Sequence, residues 1–215
     1  MRNGNIRLPP LSRAKTAPGG KGHERMAKTG ERKAQILQTL ATMLENPKGE
    51  RITTALLAAR LEVSEAALYR HFSSKAQMFE GLIEFIEQTV FTLVNRIQAE
   101  EKEPLQQVEQ TVATLLGFAQ KNPGMTRVLI GDALVNEDER LQARVNQLLD
   151  RLEASLRQSA RLAVTAGALP ADWDVNGYAN AIIAYVIGRW HQFAKSGFKR
   201  APLDGWPQQW RVFAA

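Results

Sequence analysis

The sequence predicts an all-α protein with a helix-turn-helix head followed by a longer helical domain. Three observations carry that expectation. Apolar residues recur at helical spacing from Glu31 almost to the C-terminus, no stretch alternates convincingly with the two-residue period of a strand, and the breaks fall at Pro, Gly and Asn. At 215 residues with 44% hydrophobic and 23% charged, the chain is long enough for one compact unit of one or two subdomains. No internal repeat is found.

Residues 1–30 hold Pro9, Pro10, Pro18 and five glycines and carry no apolar periodicity, so they read as a disordered basic arm. The run Gly19-Gly20-Lys21-Gly22 lacks the strand, helix and Lys-Ser/Thr ending of a phosphate loop. Met26-Ala27-Lys28 resembles a translation start, which leaves residues 1–25 as an upstream-start artefact or a genuine extension. From Glu31, Ile36, Leu37, Leu40, Met43 and Leu44 form one helical stripe that ends near Asn46-Pro47-Lys48-Gly49. Thr53 opens a short helix with Leu56 and Leu57; Ser64 caps another, closed by Phe72; Ser73 or Ser74 caps a long helix from Lys75 to about Ala99.

Further helices are expected at about 104–121, 125–135, 137–165, 174–196 and 204–213. In 137–165 an apolar seam runs through Leu141, Val145, Leu148, Leu149, Leu152 and Leu156. Segment 174–196 is apolar nearly all round, from Ala179 through Ile187, and a helix of that kind must be covered on every face. A second subunit is the simplest cover. The division follows: arm 1–30, helix-turn-helix domain 31–75, and a helical dimerisation and partner-binding domain 76–215.

Composition narrows the function. Cysteine is absent, which removes disulfides, thiolate metal sites and cysteine nucleophiles. The three histidines, His23, His71 and His191, are too far apart in sequence to preassemble a zinc site on one helix. No secretory signal or membrane-length apolar run is found, so a cytoplasmic location is expected. Residues 1–33 carry a net +7 and the remaining 182 a net −1, so all of the basic excess lies in the arm. Nucleic acid and anionic lipid are the polyanions that would attract it; charge alone equally fits a solvated tail.

Ile52 to Phe72 carries the most information. Two short helices three or four residues apart, with a third in front, make a tri-helical helix-turn-helix. Glu65, Ala66 and Ala67 are small or polar at the start of the second helix, where its backbone must enter a major groove, while Leu68 and Phe72 point back to the core. Thr53, Thr54, Ser64, Tyr69, His71 and Lys75 are the candidate groups around that helix, most of them suited to phosphates flanking the groove. Ser64 and Lys75 also lie at helix N-termini, which favour anions.

The string Val63-Ser64, Ala66-Ala67, Leu68-Tyr69, His71-Phe72 and Ser74-Lys75 resembles the DNA-binding domain of the TetR family. That resemblance implies a TetR-like fold, with a C-terminal helical domain that pairs two chains. It also implies heads held about one DNA turn, ~34 Å, apart or somewhat more, on a palindromic site. The family often has Gly in the turn where this chain has Glu62, a position that favours positive φ.

The likeness continues past the head, through "LLGF…NPG.TR.L.G.AL", "DRLEASLRQ" and "FAKSGFKRAP", and over this length the chain is similar to the nucleoid occlusion factors. These are dimeric DNA-binding proteins of TetR type that bind the division GTPase FtsZ and antagonise ring assembly over the chromosome. The resemblance implies a nucleoid-associated protein with a partner site at Phe85, Gly117, Lys121 and Asn122, where Lys121 replaces an Arg of relatives. Leu93 and Thr114 stand where relatives carry a basic and an apolar residue, so they are not included. Taken alone, Phe85 also fits a core position, Gly117 and Asn122 fit packing and capping, and Lys121 fits a solvated helix end.

Other functions are weaker. The acidic clusters Glu100-Glu101-Glu103 and Glu137-Asp138-Glu139 sit at helix ends, where dipole and capping explain them, and no nucleophile or nucleotide motif is present, so no enzyme or cofactor is expected. A ligand-responsive TetR-type repressor is the alternative; Met125, Trp173, Tyr178, Tyr185 and Trp190 would line its pocket or else form core and interface. Lipid binding by the arm would be electrostatic only, since it lacks an apolar face.

Overall fold

The computed structural model describes residues 21–46 and 52–214, with side chains from Gly30 onward. Among these residues the chain forms α1 (Lys21–Leu44), α2 (Thr54–Arg60), α3 (Glu65–Tyr69), α4 (Lys75–Glu100) and α5 (Pro104–Lys121), then α6 (Pro123–Leu129), α7 (Glu139–Thr165), α8 (Val175–Lys195) and α9 (Trp206–Phe213). A 3₁₀ turn, Asp132–Leu134, lies between α6 and α7, and no strand occurs among the described residues.

Two boundaries differ from the sequence expectation. α1 begins at Lys21, ten residues before Glu31, because the helix formers from Glu24 to Lys28 carry the helix through Gly30. The expectation of a disordered arm is thereby corrected over 21–30, and for residues 1–20 it lies outside the described residues. The segment expected as one helix over 125–135 is two pieces: α6 starts at Pro123 and stops before Gly131, whose φ of +78° turns the chain into the 3₁₀ turn. Asn122-Pro123-Gly124 is thus a change of direction in which Pro123 opens the new helix.

α4 and α7 flank α5, and α8 packs against α5 and α7. Leu82, Val94, Val108, Val112, Leu116, Val145, Leu152 and Val186 are fully buried between them. The α7 seam is buried within the chain, with Leu149 half-buried at its edge, and Ile182, Ile183 and Val186 of α8 face the same core. Ala181, Ala184 and Gly188 occupy the exposed side of α8. One buried polar cluster fixes the start of α5: Ser159 Oγ donates to Gln107 Oε1 at 3.0 Å, and the Gln107 amide donates to the carbonyl of Glu101 at 2.8 Å. A buried amide needs such partners, and here they lock α4, α5 and α7 in one arrangement.

Besides the packing of α1 on α4, two contacts among the described residues tie head to body. α6 crosses α1 so closely that a Cβ on Gly124 would fall onto the Ala41 carbonyl oxygen, and Arg127 donates to the carbonyls of Leu44 and Asn46 at 3.2 and 3.0 Å, satisfying orphan acceptors at the end of α1. At the second place, Lys75 on the first turn of α4 is ion-paired with Glu137, just before α7.

A candidate nucleic-acid interface and a groove between two helices

The head is built by capping and two apolar anchors. Thr53 accepts from the Leu56 amide at 3.1 Å to start α2, and Ser64 accepts from the Ala67 amide at 3.3 Å to start α3. Leu57, Leu68 and Phe72 are buried, as the sequence pattern requires. Glu62 in the turn adopts φ of +56°, the left-handed region that a glycine would enter without steric cost.

The opposite side of α3 is open. Thr53, Ser64, Glu65, Ala66 and Tyr69 are exposed, while Thr54, Ala67 and His71 are half-buried around them. Tyr69 is 45% exposed, unusual for a large aromatic side chain with a core beside it. Its hydroxyl reaches Thr54 Oγ1 at 3.5 Å, and Thr54 in turn donates to Glu65 at 2.5 Å, so α2 and α3 are joined by a surface chain of polar groups. Thr54, Glu65 and Tyr69 are thereby brought together on one surface. Lys75 sits apart from them, held by Glu137 and over the Phe79 ring at 5.7 Å.

The second feature is an open groove of about 680 Å³ between α4 and α5. Leu93, Ile97, Ala113 and Gly117 supply much of its apolar lining, with Arg96, Lys121 and Asn122 among its polar groups. Leu203, from the segment before α9, closes one side. Glu101 lines it as well, its carboxyl held below the usual range by hydrogen bonds, first from the Glu103 amide and also from the Gln110 side chain. Asn122 donates to the Phe118 carbonyl at 2.7 Å, fixing the turn into α6.

Gly117, Lys121 and Asn122 therefore come together as expected, 117 and 121 by one helical turn. Phe85 does not line the groove. It is half-buried on α4, eleven residues before Arg96 and thus on the same helical stripe about 16 Å nearer the head. Arg96, which the sequence reading did not single out, lines the groove, as do Leu93 and Thr114, which were set aside because their residue types differ from those of relatives. Spacing alone offered a signal for Arg96, one turn from Leu93, and none for Leu203.

The aromatic residues considered for a ligand pocket are dispersed. Trp173 packs edge-on against Tyr178, Tyr185 lies against Trp206 and Phe213, and Trp190 fills the α5–α8 interface with its indole N–H on the Leu115 carbonyl at 3.2 Å.

Residues 49–82 match the family of bacterial regulatory proteins called tetR, and residues 102–215 match the SlmA-like C-terminal domain of tetracyclin-repressor-like proteins. The chain is 50% identical over 187 residues to the nucleoid occlusion factor SlmA of Marinomonas sp., covering 87% of this chain and 95% of that protein. The chain belongs to the SlmA family. The SlmA of Alteromonas mediterranea is 51% identical over 86% of this chain and 95% of its own length, and that of Vibrio cholerae 47% over 86% and 94%. Among solved structures, a TetR transcription regulator from Haloarcula marismortui superposes with a TM-score of 0.73 at 15% identity, covering 86% of this chain and 96% of that one. FadR from Bacillus subtilis, solved with stearoyl-CoA, gives 0.69 at 12%, covering 84% and 97%. Those two show the fold. Residues 49–82, which hold α2, α3 and the first turns of α4, are thus the TetR-type DNA-binding head of a SlmA-family chain.

Proposed function

We propose that this chain is a homodimeric nucleoid occlusion factor that binds a palindromic DNA site and, held there, antagonises assembly of FtsZ through the α4–α5 groove. The observation that carries the FtsZ part is the convergence of Gly117, Lys121 and Asn122 on one groove with an apolar floor and charges of both signs along it, on the body and away from the α3 face. Arg96 and Lys121 stand with Glu100 and Glu101 around an apolar floor, a combination suited to an extended segment with an apolar anchor and charges of both signs.

Pairing of two chains is supported by the exposed side of α8, where Ala181, Ala184 and Gly188 allow close helix approach. The two α3 helices then enter successive major grooves. Thr53, Tyr69, His71 and Lys75 serve phosphates, Lys75 on exchanging its Glu137 partner for one, and the Ser64–Ala67 end approaches base edges. DNA and FtsZ occupy different surfaces, so one dimer holds both.

The test is a supershift. A fluorescent duplex selected by this protein from a random pool is bound, and FtsZ is added while anisotropy is followed. A further rise supports simultaneous binding. Displacement of the protein, or no change in the presence of bound protein, contradicts it and favours the ligand-responsive repressor.

A further inference from the structure

Leu203 is separated from the rest of the groove by eighty residues and by α6 to α8, and the turn that carries it is gathered onto one guanidinium. Arg189, half-buried on α8, donates through Nε to the Pro202 carbonyl at 3.1 Å and through Nη2 to the carbonyls of Ala201 at 3.1 Å and Asp204 at 2.8 Å. Three acceptors of one short turn are thus gathered onto one planar donor set, spread over two nitrogens in a fixed fork that the single nitrogen of an ammonium group does not reproduce. The turn closes on itself as well: the Asp204 amide donates to Ala201 O and the Trp206 amide to Leu203 O, both at 3.1 Å. α9 then anchors the segment, with Trp206 and Phe213 against Tyr185.

The product of this bracing is a half-buried leucine aimed at α5. A Cβ added to Gly117 would lie 3.5 Å from Leu203 Cδ1, so the leucine points at Gly117 with room left there for no more than a small side chain. Leu203 lines the groove together with Gly117, Phe118 and Lys121. Tertiary stability alone does not require an apolar side chain that is packed on one side and faces an open groove on the other.

We propose that Leu203 is the third wall of the partner groove, contacting an apolar side chain of the bound FtsZ segment, and that Arg189 is the positioning residue that sets this wall by holding the 201–204 turn. This inference rests on the reading of the groove as the FtsZ site. It extends the recognition surface from two helices to a third segment, one that follows α8 directly.

The test uses the full-length protein bound to its selected duplex, with FtsZ as the probe. Binding is measured for Leu203→Ala, Leu203→Glu, Arg189→Lys and the double variant Leu203→Ala/Arg189→Lys, with duplex affinity as the check on folding. Leu203→Ala is expected to weaken FtsZ by about tenfold, Leu203→Glu by more, and Arg189→Lys in the Leu203→Ala background to add little. Hydrogen exchange supplies a second readout: FtsZ should slow exchange at the Asp204 and Trp206 amides of the wild-type protein, and Arg189→Lys should speed it without FtsZ. Wild-type FtsZ affinity in all the folded variants overturns the proposal while leaving the groove reading intact, as does weakened binding with no protection at Asp204 and Trp206. Failure of the wild-type protein itself to bind FtsZ removes the groove reading and this proposal together.

Discussion

Lys75, on the first turn of α4, is ion-paired with Glu137, 62 residues later at the approach to α7. Both side chains are largely covered, so the pair is a fixed connection between head and body. The same lysine is one of the cations expected to serve a phosphate. The two engagements compete, and the competition is measurable. Lys75→Gln should lower the slope of log affinity against log salt by about one unit, while Glu137→Gln, which releases the cation, should leave the slope intact and tighten low-salt duplex binding. An unchanged slope in Lys75→Gln would remove Lys75 from the DNA contacts.

Tyr69 stands on the open face of α3, tied to the head through Thr54. Tyr69→Ala should lose at least tenfold in duplex affinity while keeping its helical circular dichroism and unfolding midpoint. A variant that unfolds would show that Tyr69 supports the core, and the orientation of α3 given above would be wrong.

Glu62 holds a left-handed conformation at φ of +56°. Glu62→Gly should stabilise the protein by about 0.5–1 kcal/mol in urea unfolding, since the strain of a side chain at positive φ is of order 1 kcal/mol and glycine's extra unfolded-state entropy offsets part of it. Glu62→Ala removes the charge and keeps the strain. Equal stabilisation by Ala and Gly would assign the effect to charge.

Gly124 is where α6 crosses α1, with the Ala41 carbonyl occupying the space of a side chain. Gly124→Ala should therefore destabilise by about 3 kcal/mol, the upper range for overpacking, and thermal unfolding measures it. A loss under 0.5 kcal/mol would mean that the two helices separate at little cost.

These sites differ in how far the sequence announced them. The head was legible because its rules are local: Ser64 caps, and Leu68 and Phe72 anchor; the strain at Glu62 was reached through resemblance, from a glycine that the family often has in that turn. The core of the body was legible for the same reason, since the α7 seam of Leu141, Val145, Leu148, Leu152 and Leu156 is a periodic signal. The groove was only half legible. Gly117, Lys121 and Asn122 were reached through resemblance, and resemblance also pointed to Phe85, which the fold leaves outside the lining. Leu203 could not be found at all, because the turn that carries it is set by Arg189 through carbonyl groups, which every residue possesses. The start of α1 was missed because two glycines outweighed five good helix formers between them.

The account's central claim is that DNA-bound protein acts on FtsZ through the α4–α5 groove. Its most direct test is sedimentation of GTP-driven FtsZ polymer with wild-type protein or Lys121→Glu, each with and without the selected duplex. The account predicts less polymer with wild-type protein and duplex together, little effect without duplex, and no loss of polymer with Lys121→Glu, although that variant still binds the duplex. Polymer unchanged by duplex-bound wild-type protein, or equally reduced by Lys121→Glu, would contradict it.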